Sequence, residues 1–149
     1  MTMGRILGID FGDRRIGLAL SDPSRTLARS FEVVENSPRL AERLKKLIAE
    51  EEVDRIVLGL PRNMDGTIGP KARQALEFKA YLEKELGLPV DMWDERLTTV
   101  AAQQVLREGG IPQRRRSEMV DKVAAQILLQ SYLDHAKRPP EGSSDGKRL

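Results

Sequence analysis

The chain has 149 residues, of which 40% are hydrophobic, and this is enough for one domain with a buried core. It contains no cysteine, which excludes disulfides and thiolate metal sites, so any metal ion must be held by Asp, Glu or His. The net charge of +2 arises after residue 136, where the chain has four basic and two acidic residues. Residues 1–136 therefore have no net charge, and any binding of a polyanion by this part must come from local clusters of basic residues.

No apolar run reaches the roughly 18 residues of a membrane span, and the N-terminus lacks the apolar stretch of a signal peptide. The sequence therefore predicts a soluble, cytoplasmic protein without a membrane partner. We expect one domain over residues 1–136, followed by a disordered basic tail over residues 137–149, which is rich in Pro, Gly and Ser.

The first predicted elements form an antiparallel meander. An apolar run that begins at Ile6 predicts a strand buried on both faces, and this strand ends in the carboxylate of Asp10. A Gly-containing turn leads to a second strand over residues 16–21, and a turn at Asp22 leads to a third over residues 28–34.

Helices and strands then alternate. The patterns predict a helix capped by Ser37 that begins at Pro38, a strand over 54–60, a helix from Pro70 to Gly87, a strand over 88–94, a helix capped by Thr98 or Thr99, a basic connector over 112–116, and a last helix that Ser117 caps and that runs to about His135. The lone His135 suits the negative end of that helix dipole.

This order predicts an α/β fold with a mixed five-stranded sheet, three antiparallel strands followed by two parallel ones, flanked by helices. Right-handed crossovers make the first, fourth and fifth strands mutually parallel, so that their carboxyl ends lie along one edge, where ligands bind in open α/β sheets. Asp10, the loop over 62–67 and Glu95 stand at such ends, and Asp121 lies near the start of the last helix.

Each acid has an ordinary explanation: Asp10 can begin a turn, Glu95 can pair with a surface cation, and Asp121 can favour a helix N-terminus by about 0.3–1 kcal/mol. Their convergence favours a metal site, because clustered carboxylates repel one another unless divalent cations neutralise them. Hard oxygen ligands suit Mg²⁺ or Mn²⁺. Asp65, which also follows a predicted parallel strand, is a reserve ligand, although a turn role beside Gly66 suits it better.

Four stretches combine into a more specific pattern. They are Gly8–Gly12 with Arg15–Ala19 and Ser21-Asp22; Gly59–Pro61 with Asn63–Gly66; Asp94–Thr99; and Asp121-Lys122 with Ala124-Ala125. Together and in this order they resemble the YqgF/RuvX family, over about residues 5–134. The resemblance implies an RNase H-like fold related to the Holliday-junction resolvase RuvC. It also implies a nuclease that acts in junction resolution, in 5′-end processing of the pre-16S ribosomal RNA, or in both.

Carried over residue by residue, the resemblance makes Asp10, Glu95 and Asp121 the catalytic and metal-binding acids. We expect two ions, Mg²⁺ or Mn²⁺, about 4 Å apart, and metal-assisted hydrolysis of a phosphodiester bond. The side chains expected to contact phosphates are those of Arg15, Arg62, Asn63, Arg96 and Lys122, with Arg114, Arg115 and Arg116 as a clamp. The expected partner is structured RNA or branched DNA recognised by its backbone shape, and junction resolution would call for a homodimer.

Two other functions stay open from the sequence. RNase H-like domains can be non-catalytic nucleic-acid-binding modules, which would lack one of the three acids. The hairpin at Asp10 also resembles the phosphate loop of actin-like ATPases, which close two such domains around a nucleotide, whereas this chain supplies one. One Trp, two Tyr and three Phe fall mostly inside predicted elements, so a platform for stacking bases is not evident.

Overall fold

A computed structural model describes the backbone of residues 4–97 and 113–137 and the side chains of residues 4–96 and 123–136. The helix predicted after Thr98 or Thr99 lies outside the described residues, as does the predicted tail from residue 138 onward.

The strands form one mixed sheet in the order β3-β2-β1-β4-β5. The strands are β1 (Arg5–Asp10), β2 (Arg15–Ser21), β3 (Ala28–Glu35), β4 (Val53–Leu60) and β5 (Val90–Asp94). β2 is antiparallel to both β1 and β3, whereas β4 is parallel to β1 and to β5. The predicted fold class is confirmed, and the carboxyl ends of β1, β4 and β5 lie along one edge, which we call the carboxyl edge.

Two helices follow the predicted pattern closely. α1 (Leu40–Glu51) begins two residues after the predicted start, and the predicted role of Ser37 as its cap is wrong: Ser37 Oγ accepts a hydrogen bond from the Arg39 amide (3.2 Å) in a turn that precedes the helix. α2 (Pro70–Leu86) begins at the predicted proline and ends where Gly87 takes up a left-handed conformation with φ 68°.

The last helix, α3 (Gln113–Lys137), is longer than the sequence patterns predict. Residues 113–116 are helical rather than a connector, and Ser117 lies inside the helix, so its predicted role as the cap is wrong. The reason is local: Gln and Arg are good helix formers, and no Gly or Pro interrupts residues 113–137. A short 3₁₀ turn, Glu95–Leu97, directly follows β5.

The sheet is packed on both faces. Leu7, Ile9 and Leu58 point into a core covered by α1 and α2, whereas Ile6 and Val57 face α3. α3 lies directly on β1, because a Cβ atom on Gly8 would come within 2.9 Å of the Leu129 Cβ atom. The molecule thus has three layers, with the sheet between α1 and α2 on one side and α3 on the other.

The direction of α3 follows from the contacts of its second half. The Tyr132 hydroxyl donates to Asp91 at the start of β5 (2.5 Å), and Gln130 Nε2 donates to the Thr26 carbonyl (2.9 Å). Because the second half of the helix lies at the amino ends of β4 and β5, its first half runs toward the carboxyl edge.

Candidate active site

Two of the predicted acids lie on the same face of the carboxyl edge. Ile9 points into the core below α1 and α2, so strand alternation places Asp10 on the opposite face, the one that α3 covers. The Glu95 carboxyl lies on this same face, above the end of β4, where a Cβ atom on Gly59 would be only 2.9 Å from Glu95 Cδ. Both acids are half-buried.

Gly59 provides the space that Glu95 occupies. It pairs with Trp93 of β5, and a side chain at position 59 would overlap both the Glu95 carboxyl and Leu128 Cδ1 of α3. The acid therefore enters between the sheet and the helix only because this strand position has no side chain.

Position 121 lies on α3, four residues before the buried Ala125 and seven before Leu128. Seven residues are about two helical turns, or roughly 10 Å toward the carboxyl edge. The backbone thus brings position 121 to the edge that carries the other two acids. The side chains of Asp121, Lys122 and the Arg114–Arg116 triplet lie outside the described part of the structure, so their roles stay predictions.

The donor set fits a hard divalent cation. Burial raises the pKa of the Glu95 carboxyl, the Lys71 ammonium opposes this shift, and the negative charge of Asp94 adds to it. A carboxylate that is costly to ionise in isolation is one that a nearby cation stabilises. Within the side chains described, no three of Asp, Glu or His form a metal-binding cluster, and the expected third ligand, Asp121, is not among them.

Lys71 is a site residue that the sequence reasoning missed. It lines, with Glu95, a cleft of about 140 Å³ whose walls also include the turn from Phe11 to Asp13. The available signal was Gly69-Pro70, which starts α2 right after the loop that follows β4 and so places position 71 in a first helical turn at the carboxyl edge.

The loop over residues 61–69, which we call the β4–α2 loop, is held by its own side chains. Arg62 Nε donates to the Gly66 carbonyl (2.9 Å), and Asn63 Nδ2 donates to Thr67 Oγ1 (2.9 Å). Asp65 is exposed and accepts from both the amide and the hydroxyl of Thr67, and these hydrogen bonds lower its pKa. The structure therefore gives Asp65 a turn role rather than that of a reserve ligand.

Arg96 connects this loop to β5. Its guanidinium donates through Nε and Nη2 to the Asp94 carboxylate, with the Nη2 bond at 2.7 Å, and Nη1 donates to the Met64 carbonyl (3.3 Å). Arg62 Nη1 also lies 3.9 Å from Asp94, and the paired guanidinium of Arg96 lowers the pKa of Asp94. Both arginines thus engage the protein itself, and their predicted phosphate contacts stay predictions, as do those of Asn63 and of Arg15, which is half-buried at the start of β2.

The family model described as "RuvX: Holliday junction resolvase" matches residues 4–135 of this chain. The chain belongs to the RuvX/YqgF family.

Proteins similar to this RuvX/YqgF chain cover almost its whole length. A protein of Desulfitobacterium hafniense (strain DSM 10664 / DCB-2) is 46% identical over 134 residues, which cover 90% of this chain and 94% of that protein. One of Heliobacterium modesticaldum is 49% identical over 133 residues, covering 87% of this chain and 89% of that one. Both are named "Putative pre-16S rRNA nuclease".

Solved structures similar to the RuvX/YqgF chain establish its fold as RNase H-like. RuvC of T. thermophilus in complex with a Holliday junction substrate matches with a TM-score of 0.52 at 19% identity, over 90% of this chain and 96% of that one. The Fowlpox virus resolvase in complex with Holliday junction DNA matches with a TM-score of 0.54 at 10% identity, over 90% and 99%. Among the described residues, no helix combines the length and apolar character needed to cross a membrane.

Proposed function

We propose that this protein is a metal-dependent nuclease that hydrolyses phosphodiester bonds in structured nucleic acid, with the pre-16S ribosomal RNA as its principal substrate. The observation that carries the proposal is the convergence of Asp10 and Glu95 on the α3 face of the carboxyl edge, above the side-chain-free Gly59. The names of relatives 46% and 49% identical support the choice of ribosomal RNA.

Asp10, Glu95 and Asp121 would hold Mg²⁺ or Mn²⁺. Two such ions, when bound, would supply an activated water and stabilise the leaving oxygen in an in-line displacement. The protein contributes the placement of the carboxylates and a cleft in which Lys71 faces Glu95, so that an incoming phosphate meets a positive charge beside the acids. Pro61 of the β4–α2 loop lines the cleft, and the hydrogen bonds within this loop order it beside the cleft.

Resolution of four-way DNA junctions is the second candidate. Its support is the description of the family model and the fold shared with RuvC bound to a Holliday junction. Symmetric cutting of a junction would call for a homodimer, whereas trimming of a ribosomal RNA precursor would not.

The test is cleavage of a labelled ribosomal RNA precursor and of a labelled four-way DNA junction, with Mg²⁺, with Mn²⁺ and with a chelator. We expect metal-dependent cutting that falls by at least about 100-fold in D10N, E95Q and D121N. Loss of a residue that only supports a metal ligand already costs about 10- to 100-fold. D134N is the matched control, because Asp134 is an exposed acid in the second half of α3, and it should cut like the wild type.

Full activity of D10N would contradict the proposal. Tight binding of either substrate without metal-dependent cutting by the wild type would favour the non-catalytic module instead. Tight binding of ATP by the isolated protein would favour the actin-like alternative. The preferred substrate separates RNA maturation from junction resolution.

A further inference from the structure

A second, open cavity of about 500 Å³ adjoins the active-site cleft. We call it the aromatic groove, and its walls include Phe11, Asn36, Gln74, Glu77, Phe78 and Tyr81. We propose that the aromatic groove binds an unpaired nucleobase of the substrate strand beside the phosphate that is cut. The proposal rests on the nuclease function proposed above and adds that the substrate must be single-stranded at the cut.

The groove and the active-site cleft are neighbours that share part of their walls. Phe11, Asp13 and Gln74 line both cavities, so a chain bound in the cleft can extend past these residues into the groove. Lys71 and Glu95 stand at the cleft end of this path, and Tyr81 stands at the groove end. A strand whose phosphate reaches Glu95 therefore has a neighbouring nucleotide at the aromatic side chains.

The aromatic side chains form a short ladder that is fixed from behind. The ring centroids of Phe11 and Phe78 are 4.4 Å apart, and those of Phe78 and Tyr81 are 5.7 Å apart with planes inclined by 17°. Phe78 is buried, whereas Phe11 and Tyr81 are half-buried and pack against the core while lining the open groove. Ring faces held in this way can stack on a base without losing rotamer freedom.

The charge of the groove identifies which part of a nucleotide it fits. Its described walls contain two carboxylates, Asp13 and Glu77, and no cationic side chain, so a phosphate would be repelled. A cationic side chain, Lys71, lines the adjoining cleft. A base in the groove and its phosphate in the cleft fit the charges of both surfaces, and the Gln74 side-chain amide in the groove wall can hydrogen-bond a base edge.

The wall between the two cavities is preformed. Asn36 Nδ2 donates to the carbonyls of Gly12 and Asp13, both at 3.2 Å. The backbone N–H of Asn36 donates to the Arg14 carbonyl at 2.8 Å. The turn after β1 is thus tied to the end of β3, so little ordering entropy is lost when a ligand binds. A base within a duplex has its faces stacked and its edge paired, and only an unpaired or extruded base can enter.

The experiment uses the full chain in the D10N background and an unpaired RNA of about eight nucleotides that carries 2-aminopurine, whose fluorescence falls on stacking. We expect the D10N protein, which keeps Tyr81, to bind this RNA and to quench its fluorescence. Y81L should weaken its binding by about 5- to 150-fold and abolish the quenching, because base–aromatic stacking contributes that much per base. Y81F keeps the ring and should bind within about twofold of the parent, well inside that range.

L76A is the matched control, because Leu76 is 41% exposed on the same helix but lines neither cavity, and it should bind the RNA like the parent. Annealing the RNA to its complement should remove the effect of Y81L. Q74A changes an exposed residue that folding does not require, and it should weaken binding of the unpaired RNA by about 2- to 13-fold. It provides the same test should Y81L fail to fold.

Equal effects of Y81L on unpaired and duplex RNA, or no effect of Y81L and Q74A on either, would overturn the proposal. A protein segment would then be the alternative occupant of the groove. The readout is binding, so it separates the two proposals. Binding of unpaired RNA through Tyr81 in the D10N protein, together with no cutting by the wild type in the cleavage test above, would support the groove and refute the nuclease.

Discussion

Gly59 leaves the space in which the Glu95 carboxyl lies. A methyl group there would overlap the Glu95 carboxyl and Leu128, so G59A should displace the acid from the carboxyl edge. We expect metal-dependent activity to fall as far as in E95Q, and the free energy of unfolding to drop by about 1–3 kcal/mol through overpacking. The cleavage assay and thermal unfolding measure the two effects separately, and calorimetric titration should show a matching loss of Mg²⁺ affinity.

G8A is the control for this prediction. Its added methyl group would lie 2.9 Å from Leu129 Cβ on the same helix, so it should destabilise the fold to a similar degree while leaving Glu95 in place. Equal loss of Mg²⁺ affinity in G8A and G59A would show that the helix position, rather than the space above Gly59, controls the acid.

Glu95 should also make stability depend on pH and on metal. Its pKa is raised in the folded protein, so the native state holds this proton more tightly than the unfolded state does. Stability is therefore favoured at low pH and is lost as the pH rises from the ordinary value of 4.5 through the raised one. Without metal, the wild type should lose stability relative to E95Q over this range.

Mg²⁺ should reverse this difference near neutral pH, because a bound cation stabilises the ionised carboxylate and binds only the folded protein. Thermal unfolding of the wild type and of E95Q, with a chelator and with Mg²⁺, tests this at each pH. A midpoint that rises equally in both proteins on adding Mg²⁺ would contradict a role for Glu95 as a ligand.

At the scale of elements, the β4–α2 loop depends on Arg96. This side chain joins Asp94 of β5 to the Met64 carbonyl at the loop tip through a planar fork that lysine cannot reproduce. R96K should increase amide hydrogen exchange over residues 63–67 and raise KM about 10-fold, since a misplaced loop weakens substrate positioning. Global stability should change by less than about 1 kcal/mol, because the pair is partly exposed.

R43K is the matched control, because Arg43 pairs with Glu32 of β3, and β3 lies at the opposite side of the sheet from β5. It should leave both KM and exchange in the loop unchanged. Unaltered exchange over residues 63–67 in R96K would show that the hydrogen bonds of Asn63 and Asp65 hold the loop by themselves.

At the scale of the whole molecule, the site depends on the packing of α3 on the sheet. Leu129 is fully buried against Gly8, so L129A should lower the free energy of unfolding by about 2–5 kcal/mol. Because α3 also carries Asp121, the folded fraction of L129A should bind Mg²⁺ more weakly. L44A, which removes an equally buried side chain of α1 from the opposite core, should lose similar stability with unchanged Mg²⁺ affinity.

The sequence by itself determined the five strands, the parallel set that contains β1, β4 and β5, and the placement of Asp10 and Glu95 at their carboxyl ends. These features follow from apolar periodicity and crossover handedness, which are local or nearly local properties of the chain. The predicted start of α3 was wrong, because a run of arginines is equally compatible with a connector when no packing partner is known.

Only the tertiary structure decided which distant residues meet. Lys71 faces Glu95, Gly59 leaves room for that acid, and Phe11 joins Phe78 and Tyr81 in one groove, although these residues lie far apart in sequence. Such contacts depend on strand register and on where each helix lies across the sheet. Both result from long-range packing, which the spacing of residues along the chain does not encode in a readable form.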